Sequence, residues 1–324
     1  MFEILSNYKK LIVVGPFPPP IGGVSVHLAR FCDTLIFNGT IFKLDTTSGI
    51  KLFLLTYIKL LWISLFGKSC AVYVNSTNLV VLLLLIFFRG DFFFRVHNDR
   101  LCNLNFSHRF ILFVFFFFKI NFFFVANDDI KKSISKHYCL PEGNILISSA
   151  YLSPPLEKAD IMLESFPQDL FLFLSRGGIY FSVSAYKLSF HNSQDLYGID
   201  LCISMLFQLR RAGFNVKLII VIANPESDLE YFQKLKQMVI DFELGDEVYF
   251  LCGQIECWPI YKIVQIYLRT TNTDSEGISI KEALSCGCSV IASDVCVRPP
   301  GVTVFESRNL NDLVVKSVDV INTM

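Results

Sequence analysis

The 324 residues predict an α/β protein built on parallel sheets. Three observations carry that prediction. Short apolar runs that read as strands alternate with longer ones at helical spacing, the pattern of βαβ units covered on both faces. Twice, near the start and near the end of the chain, such a strand gives way to a glycine-bearing loop and then a helix. A proline-punctuated, charged stretch from Tyr151 through Pro154 and Pro155 to Gln168 reads as a hinge or linker between two alternating halves. Two domains follow from this, residues 1–156 and 157–324.

The first strand is the run Leu11 to Val14, ended by Gly15 and the cluster Pro16, Pro18, Pro19 and Pro20. Gly22 and Gly23 then open a helix with Val24, Leu28, Phe31 and Leu35 on one face. A strand, a glycine turn and a helix N-terminus can cradle a phosphate. A plain tight turn accounts for the same residues. Next come a helix over Leu52–Leu65, a strand over Ala71–Asn75 and a helix over Leu79–Phe88. A strand over Phe92–His97, a helix over Arg109–Phe118 and a strand over Asn121–Ala126 continue the alternation. The helix Asp128–His137 has Asn127 or Asp128 as its cap, and Asn144–Ile147 closes the half as a strand.

Composition narrows the function. Lysines plus arginines equal aspartates plus glutamates at 29 each, so the charge balance does not call for nucleic acid. The chain is apolar, with 33 phenylalanines and a mean hydropathy of +0.48. Yet its longest uncharged apolar runs, Leu79–Phe88 and Phe110–Phe118, reach about half of the roughly 20 residues a spanning helix needs. Lys51, Lys59 and Lys68 interrupt the next candidate. The N-terminus lacks the basic start and apolar core of a signal peptide. Ten cysteines without zinc-site spacing read as reduced thiols of a cytoplasmic protein. No convincing metal pair stands in a loop either, because Asp128 and Asp129 head a helix, where acids are favoured anyway.

The second half begins near Gly178, with strand Ile179–Ser184, helix Gly198–Arg211 and strand Val216–Ile222. Helix Ser227–Phe242, strand Glu247–Leu251 and strand Gln265–Arg269 follow, then Val302–Phe305 and a last helix from about Leu310. Between them lies the stretch that organises the chain. It runs from Arg269 through a polar loop into a helix holding Glu282, turns at Gly287 and continues as a strand from Ser289 to Ala292. In open α/β sheets ligands sit outside the carboxyl ends of strands, beside helix N-termini. The amides around Gly277, Ile278 and Ser279 would face a bound anion there. Asp274 and Glu282 bracket those amides with seven residues between them, an arrangement suited to a phosphorylated sugar. An ordinary helix start capped by Ser275 or Ser279 is the competing reading.

The segment resembles the donor-binding motif of the large retaining nucleotide-sugar glycosyltransferase family, family 4, which has the GT-B fold. That motif has two acids with seven residues between them, then Ala, a glycine turn and a Val-Ile-Ala strand. Here these are Asp274, Glu282, Ala283, Gly287 and Val290 to Ala292. Asp274 stands where the family usually has Glu, and Glu276 is the alternative carboxylate.

The resemblance implies two Rossmann-like domains whose parallel sheets face each other across a cleft, the first taking the acceptor and the second the nucleotide-sugar. It places the Gly22-Gly23 loop opposite the nucleotide-sugar and His97 near the reacting sugar. His97 is equally an ordinary loop histidine, and His27 reads as structural. Glu282 is assigned to the ribose hydroxyls, Asp274 to the sugar hydroxyls, and Lys187 with the Gly277–Ser279 amides to the diphosphate. The family's second basic position falls on Tyr197, for which Arg269 and Arg298 are substitutes unless they are plain surface charges. Trp258 lines the base pocket or is simply buried.

The expected activity is retaining, metal-independent hexosyl transfer needing no cofactor besides the nucleotide-sugar donor. A glycan acceptor, lipid-linked and used in surface polysaccharide synthesis, would bring the protein to the inner face of the membrane. The rival readings are an inert or weakly active subunit of a polysaccharide assembly and a sugar-nucleotide epimerase on the same fold.

Overall fold

The computed structural model describes residues 2–67, 69–96, 101, 106–253, 255–274 and 277–324. The chain forms two compact units, Met1–Leu152 and Ser153–Met324.

The first unit runs α1 (Phe2–Leu5), β1 (Lys10–Gly15), α2 (Gly23–Thr34), β2 (Thr40–Asp45), α3 (Ile50–Phe66) and β3 (Cys70–Val74). It continues with α4 (Leu79–Leu85), β4 (Asp91–Val96), α5 (Phe106–Lys119), β5 (Ile120–Val125), α6 (Asp128–Tyr138) and β6 (Ile145–Ile147). Its six strands pair in parallel in the order β2-β1-β3-β4-β5-β6. Helices cover both faces, which is why β1 and β3 are apolar almost throughout. On one face Tyr57, Leu82, Leu112 and Ile134 bring α3, α4, α5 and α6 onto the sheet. On the other, Leu5, Leu28 and Phe31 of α1 and α2 meet Leu11, Val13 and Tyr73.

The phenylalanine run in β4 obeys the two-residue period of a strand. Phe92 and Phe94 join the α3–α6 side and Phe93 the α2 side, all three fully buried. β2 has no counterpart in the sequence reading. It is an edge strand whose one buried residue is Leu44, so it lacks the apolar run that marks the central strands.

The second unit comprises α7 (Ala159–Leu163), α8 (Gln168–Leu174), β7 (Ile179–Lys187), the hairpin β8 (Phe190–His191) and β9 (Gln194–Asp195), and α9 (Ile199–Arg211). Then come β10 (Val216–Asn224), α10 (Leu229–Asp241), β11 (Val248–Cys252), β12 (Ile266–Arg269), α11 (Ile278–Ser285), β13 (Ser289–Ser293), β14 (Val302–Phe305) and α12 (Leu310–Asn322). The sheet order is β11-β10-β7-β12-β13-β14, every pairing parallel. Numbered within the unit this is 3-2-1-4-5-6, the Rossmann order, and its switch point lies between β7 and β12.

One expectation is corrected here. The stretch up to Gln168 is not wholly a linker, because α7 and α8 pack on the sheet through Leu163, Phe166, Leu170 and Phe173. Those residues recur at intervals of three and four, a helical signal hidden among charges and prolines. Trp258 belongs to the same core at 1% exposure, its indole N–H donating to Glu256 at 2.9 Å. Among the described residues every cysteine is a free thiol, and no helix is long and apolar enough to cross a membrane.

Candidate donor site

The site grows from the carboxyl ends of β7, β12 and β13. β12 pairs with β7 on one side and β13 on the other, so the residues following all three strands meet at one sheet edge. Lys187 is the exposed last residue of β7. Arg269 is the last residue of β12, and Arg298 follows β13.

Asp274 joins the last two of these, Arg269 and Arg298. Arg269 donates to both its oxygens, from Nε to Oδ2 and from Nη2 to Oδ1, each at 3.0 Å. Arg298 donates from Nη1 to Oδ2 at 2.8 Å. The Asp274 side chain is 7% exposed, that of Arg298 2% and that of Arg269 17%. Burial by itself would raise the Asp274 carboxyl, but the two guanidiniums outweigh it and hold the group well below the usual carboxylate range. Neither arginine is a surface charge. Arg298 also donates from Nε to the Ser293 carbonyl at 2.8 Å, and Arg269 lies over the Tyr197 ring at 5.8 Å. Two cations around one carboxylate leave the cluster with a net charge of +1.

Above it begins α11. Gly277 sits in the left-handed region at φ 61°, and a Cβ there would stand 2.9 Å from Ile280 Cδ1 and 3.3 Å from Arg298 Nη1. Glycine is therefore favoured by the left-handed backbone, and it lets the Arg298 guanidinium approach closely. Among the described residues no side chain caps α11. The Ser279 hydroxyl accepts from the Tyr267 hydroxyl at 2.8 Å, fixing the first turn to β12. Glu282, one turn in, is buried.

The neighbouring helix start is built differently. α9 also follows a left-handed glycine, Gly198 at φ 67°. Here Asp195 fills the N-terminus, accepting from the Tyr197 amide at 3.0 Å and the Ile199 amide at 2.8 Å, with the Tyr231 hydroxyl also donating at 3.0 Å. A Cβ on Gly198 would meet the Thr270 carbonyl oxygen at 2.5 Å, so the loops after β9 and β12 are in close contact. The sequence reading missed Asp195. Its signal was an acid four residues before a helix whose own start, Gly198, carries no side chain.

In the first unit Gly22 caps α2, and its amide donates to Ser25 Oγ at 2.9 Å. Gly22 is thus engaged by its own helix, whereas a Cβ on Gly23 would meet nothing within 4 Å. His27 is structural: buried at 3% exposure, it has Nδ1 2.8 Å from the Ala150 carbonyl. His97 lies outside the described residues, as does Glu276.

The comparisons with known proteins bear on this site. Residues 186–319 match the profile of glycosyl transferases group 1, a span holding Lys187, the Asp274 cluster and α11. No curated protein matches the chain. Among solved structures it resembles a glycosyltransferase from Rickettsia africae at TM-score 0.66 and 13% identity, covering 98% of this chain and 89% of that one. It also resembles Anabaena HepE in complex with UDP-glucose, at TM-score 0.65 and 13% identity over 97% and 90%. WaaG, a glycosyltransferase involved in lipopolysaccharide biosynthesis, matches at TM-score 0.57 and 13% identity over 97% and 90%. Residues 186–319 thus match glycosyl transferases group 1, and the chain has the GT-B fold of the glycosyltransferases it resembles.

Proposed function

We propose that the protein transfers a sugar from a nucleotide-sugar, with retention of configuration and without a metal ion, to a glycan carried on a lipid. One observation carries the donor part: a helix start, α11, with no side-chain cap among the described residues, lies over a cluster of Arg269, Asp274 and Arg298 with net charge +1 at the switch point of a Rossmann-order sheet. Glycosyl transfer expels a nucleoside diphosphate while the sugar gains oxocarbenium character. The Ile278 and Ser279 amides, the positive end of the α11 dipole and the Lys187 ammonium stabilise that leaving group. Glu282 accepts hydrogen bonds from the ribose hydroxyls.

Asp274 takes a different part from the one its motif position suggests. With both oxygens held by guanidiniums, it anchors Arg269 and Arg298 beneath the diphosphate. Arg269, over the Tyr197 ring, brings charge to the region where the family's second basic residue stands. The apolar helices of that unit and the lipopolysaccharide role named for WaaG support a lipid-linked acceptor at the inner face of the membrane.

Binding without transfer is the second reading, favoured by the commitment of Asp274 to arginines and by a tyrosine at position 197. A panel of UDP-, GDP- and other nucleotide-sugars, each offered with lipid-linked oligosaccharides, separates the two. Sugar appearing on the acceptor, and lost in Glu282→Ala, supports transfer. Tight donor binding with no acceptor product supports the second reading.

A further inference from the structure

Three helices of the first unit expose what the rest of the protein hides. α3, α4 and α5 lie side by side on one face of the sheet. The Tyr57 hydroxyl of α3 donates to the Leu84 carbonyl of α4 at 3.0 Å, and α4 and α5 enclose a groove lined by Leu83, Ile86, Phe110 and Val114. Their inward residues fill the core. Their outward residues are apolar as well: Leu55, Ile58, Trp62 and Phe66 on α3, Val80 and Leu83 on α4, Phe117 and Phe118 on α5. Trp62 is 63% exposed, Phe66 73% and Phe118 75%. Burying these side chains in the sheet would require a second inward face, which a single-layer covering helix does not have. Contiguous apolar surface of this extent marks an interaction site.

Its charge says with what. The three helices contain no aspartate or glutamate, whereas they carry Lys51, Lys59 and Arg109, and Arg89 is exposed just beyond α4; Lys119 is engaged by the core, its Nζ donating to the Phe88 carbonyl at 3.0 Å. α6, in the same helix layer, presents Asp128, Asp129, Lys132 and Lys136 to solvent, so the bias is confined to α3–α5. A cationic face is a poor match for its own copy, because self-association brings like charges together. An apolar surface bearing Trp and Phe, rimmed by Lys and Arg and free of acids, fits the interface of a membrane with anionic headgroups.

We infer that the outer face of α3, α4 and α5 is a docking surface for an anionic lipid bilayer, seated in the interface without crossing it. This deepens the lipid-linked acceptor reading but is tested apart from it, since vesicle binding is read without donor or acceptor. The experiment is flotation of the full chain with phosphatidylcholine vesicles made with and without phosphatidylglycerol. The inference expects binding to the anionic vesicles, weakened by added salt.

Two variants dissect the face at exposed, packing-neutral positions. Trp62→Ser with Phe66→Ser should reduce binding by about tenfold or more. Lys51→Glu with Lys59→Glu should remove the preference for phosphatidylglycerol, at about fivefold or more per charge lost. Ile240→Ser, at an exposed apolar residue of α10 in the second unit, should change nothing. The inference is overturned if the chain fails to float with anionic vesicles, or floats equally with all three variants. It is also overturned if the Trp62 and Phe66 changes abolish self-association, seen in sedimentation, while leaving vesicle binding intact.

Discussion

The second unit contains two helix starts that look alike in backbone and differ in chemistry. α9 and α11 each follow a left-handed glycine, Gly198 or Gly277, near the same sheet edge. At α9 the Ile199 amide is already satisfied by the buried Asp195 carboxylate, which burial raises above its usual range, and the Leu201 amide by Asp200. At α11 no described side chain takes that role, and the nearest buried charges are the arginines of the Asp274 cluster. A helix N-terminus becomes an anion site when its own protein withholds the anion. Asp195 ties α9 to its own loop, and among the described residues α11 has no equivalent, which is what the proposed anion site rests on.

That contrast breaks first at Glu282. Glu282→Gln keeps the side-chain shape of this buried residue and removes the charged acceptor for ribose hydroxyls. Transfer measured with labelled nucleotide-sugar should fall by about 10- to 100-fold, with the far-ultraviolet circular dichroism unchanged. Undiminished turnover would remove Glu282 from the site.

Asp274→Asn comes next. It leaves two buried guanidiniums short of their carboxylate and should destabilise the second unit by about 3–5 kcal/mol in urea unfolding at neutral pH. The Asp274 carboxyl titrates below its free-chain value of about 4, so the cluster's contribution is complete above that pH. It fades as pH falls from about 4 towards the depressed folded value, where it is lost. The stabilities of wild type and Asp274→Asn should therefore converge in acid, and a gap that stays constant down to pH 2 would contradict the assignment.

Lys187→Ala removes one exposed cation and should raise the transfer barrier by ~3 kcal/mol, about a hundredfold in kcat/KM, with little change in unfolding. Asp195→Ala should do the reverse. Loss of the α9 cap costs about 1–2 kcal/mol of stability, while donor affinity by calorimetry stays at the wild-type value.

Periodicity made most of the architecture legible. The buried central strands announce themselves as apolar runs, and α9, α10 and α12 by their amphipathic spacing. β2 escaped because an edge strand needs only Leu44 inside, and α7 and α8 because prolines and acids masked their three-and-four spacing. At the site the motif pointed to Asp274, Gly277 and Glu282, but spacing alone could not pair Asp274 with Arg298, 24 residues later. That contact exists because β12 and β13 are neighbours in the sheet and end at the same edge. Adjacency of strands was the missing information, and it turned two suspected surface charges into buried ones.

The central claim concerns which amides the donor's diphosphate meets. Hydrogen exchange of the full chain, with and without saturating UDP or GDP, reads them directly. Slowed exchange at Ile278 and Ser279, with the start of α9 from Ile199 to Leu201 unaffected, is the predicted result. Slowing confined to α9, or absent from both helices while calorimetry reports bound nucleotide, would contradict the account.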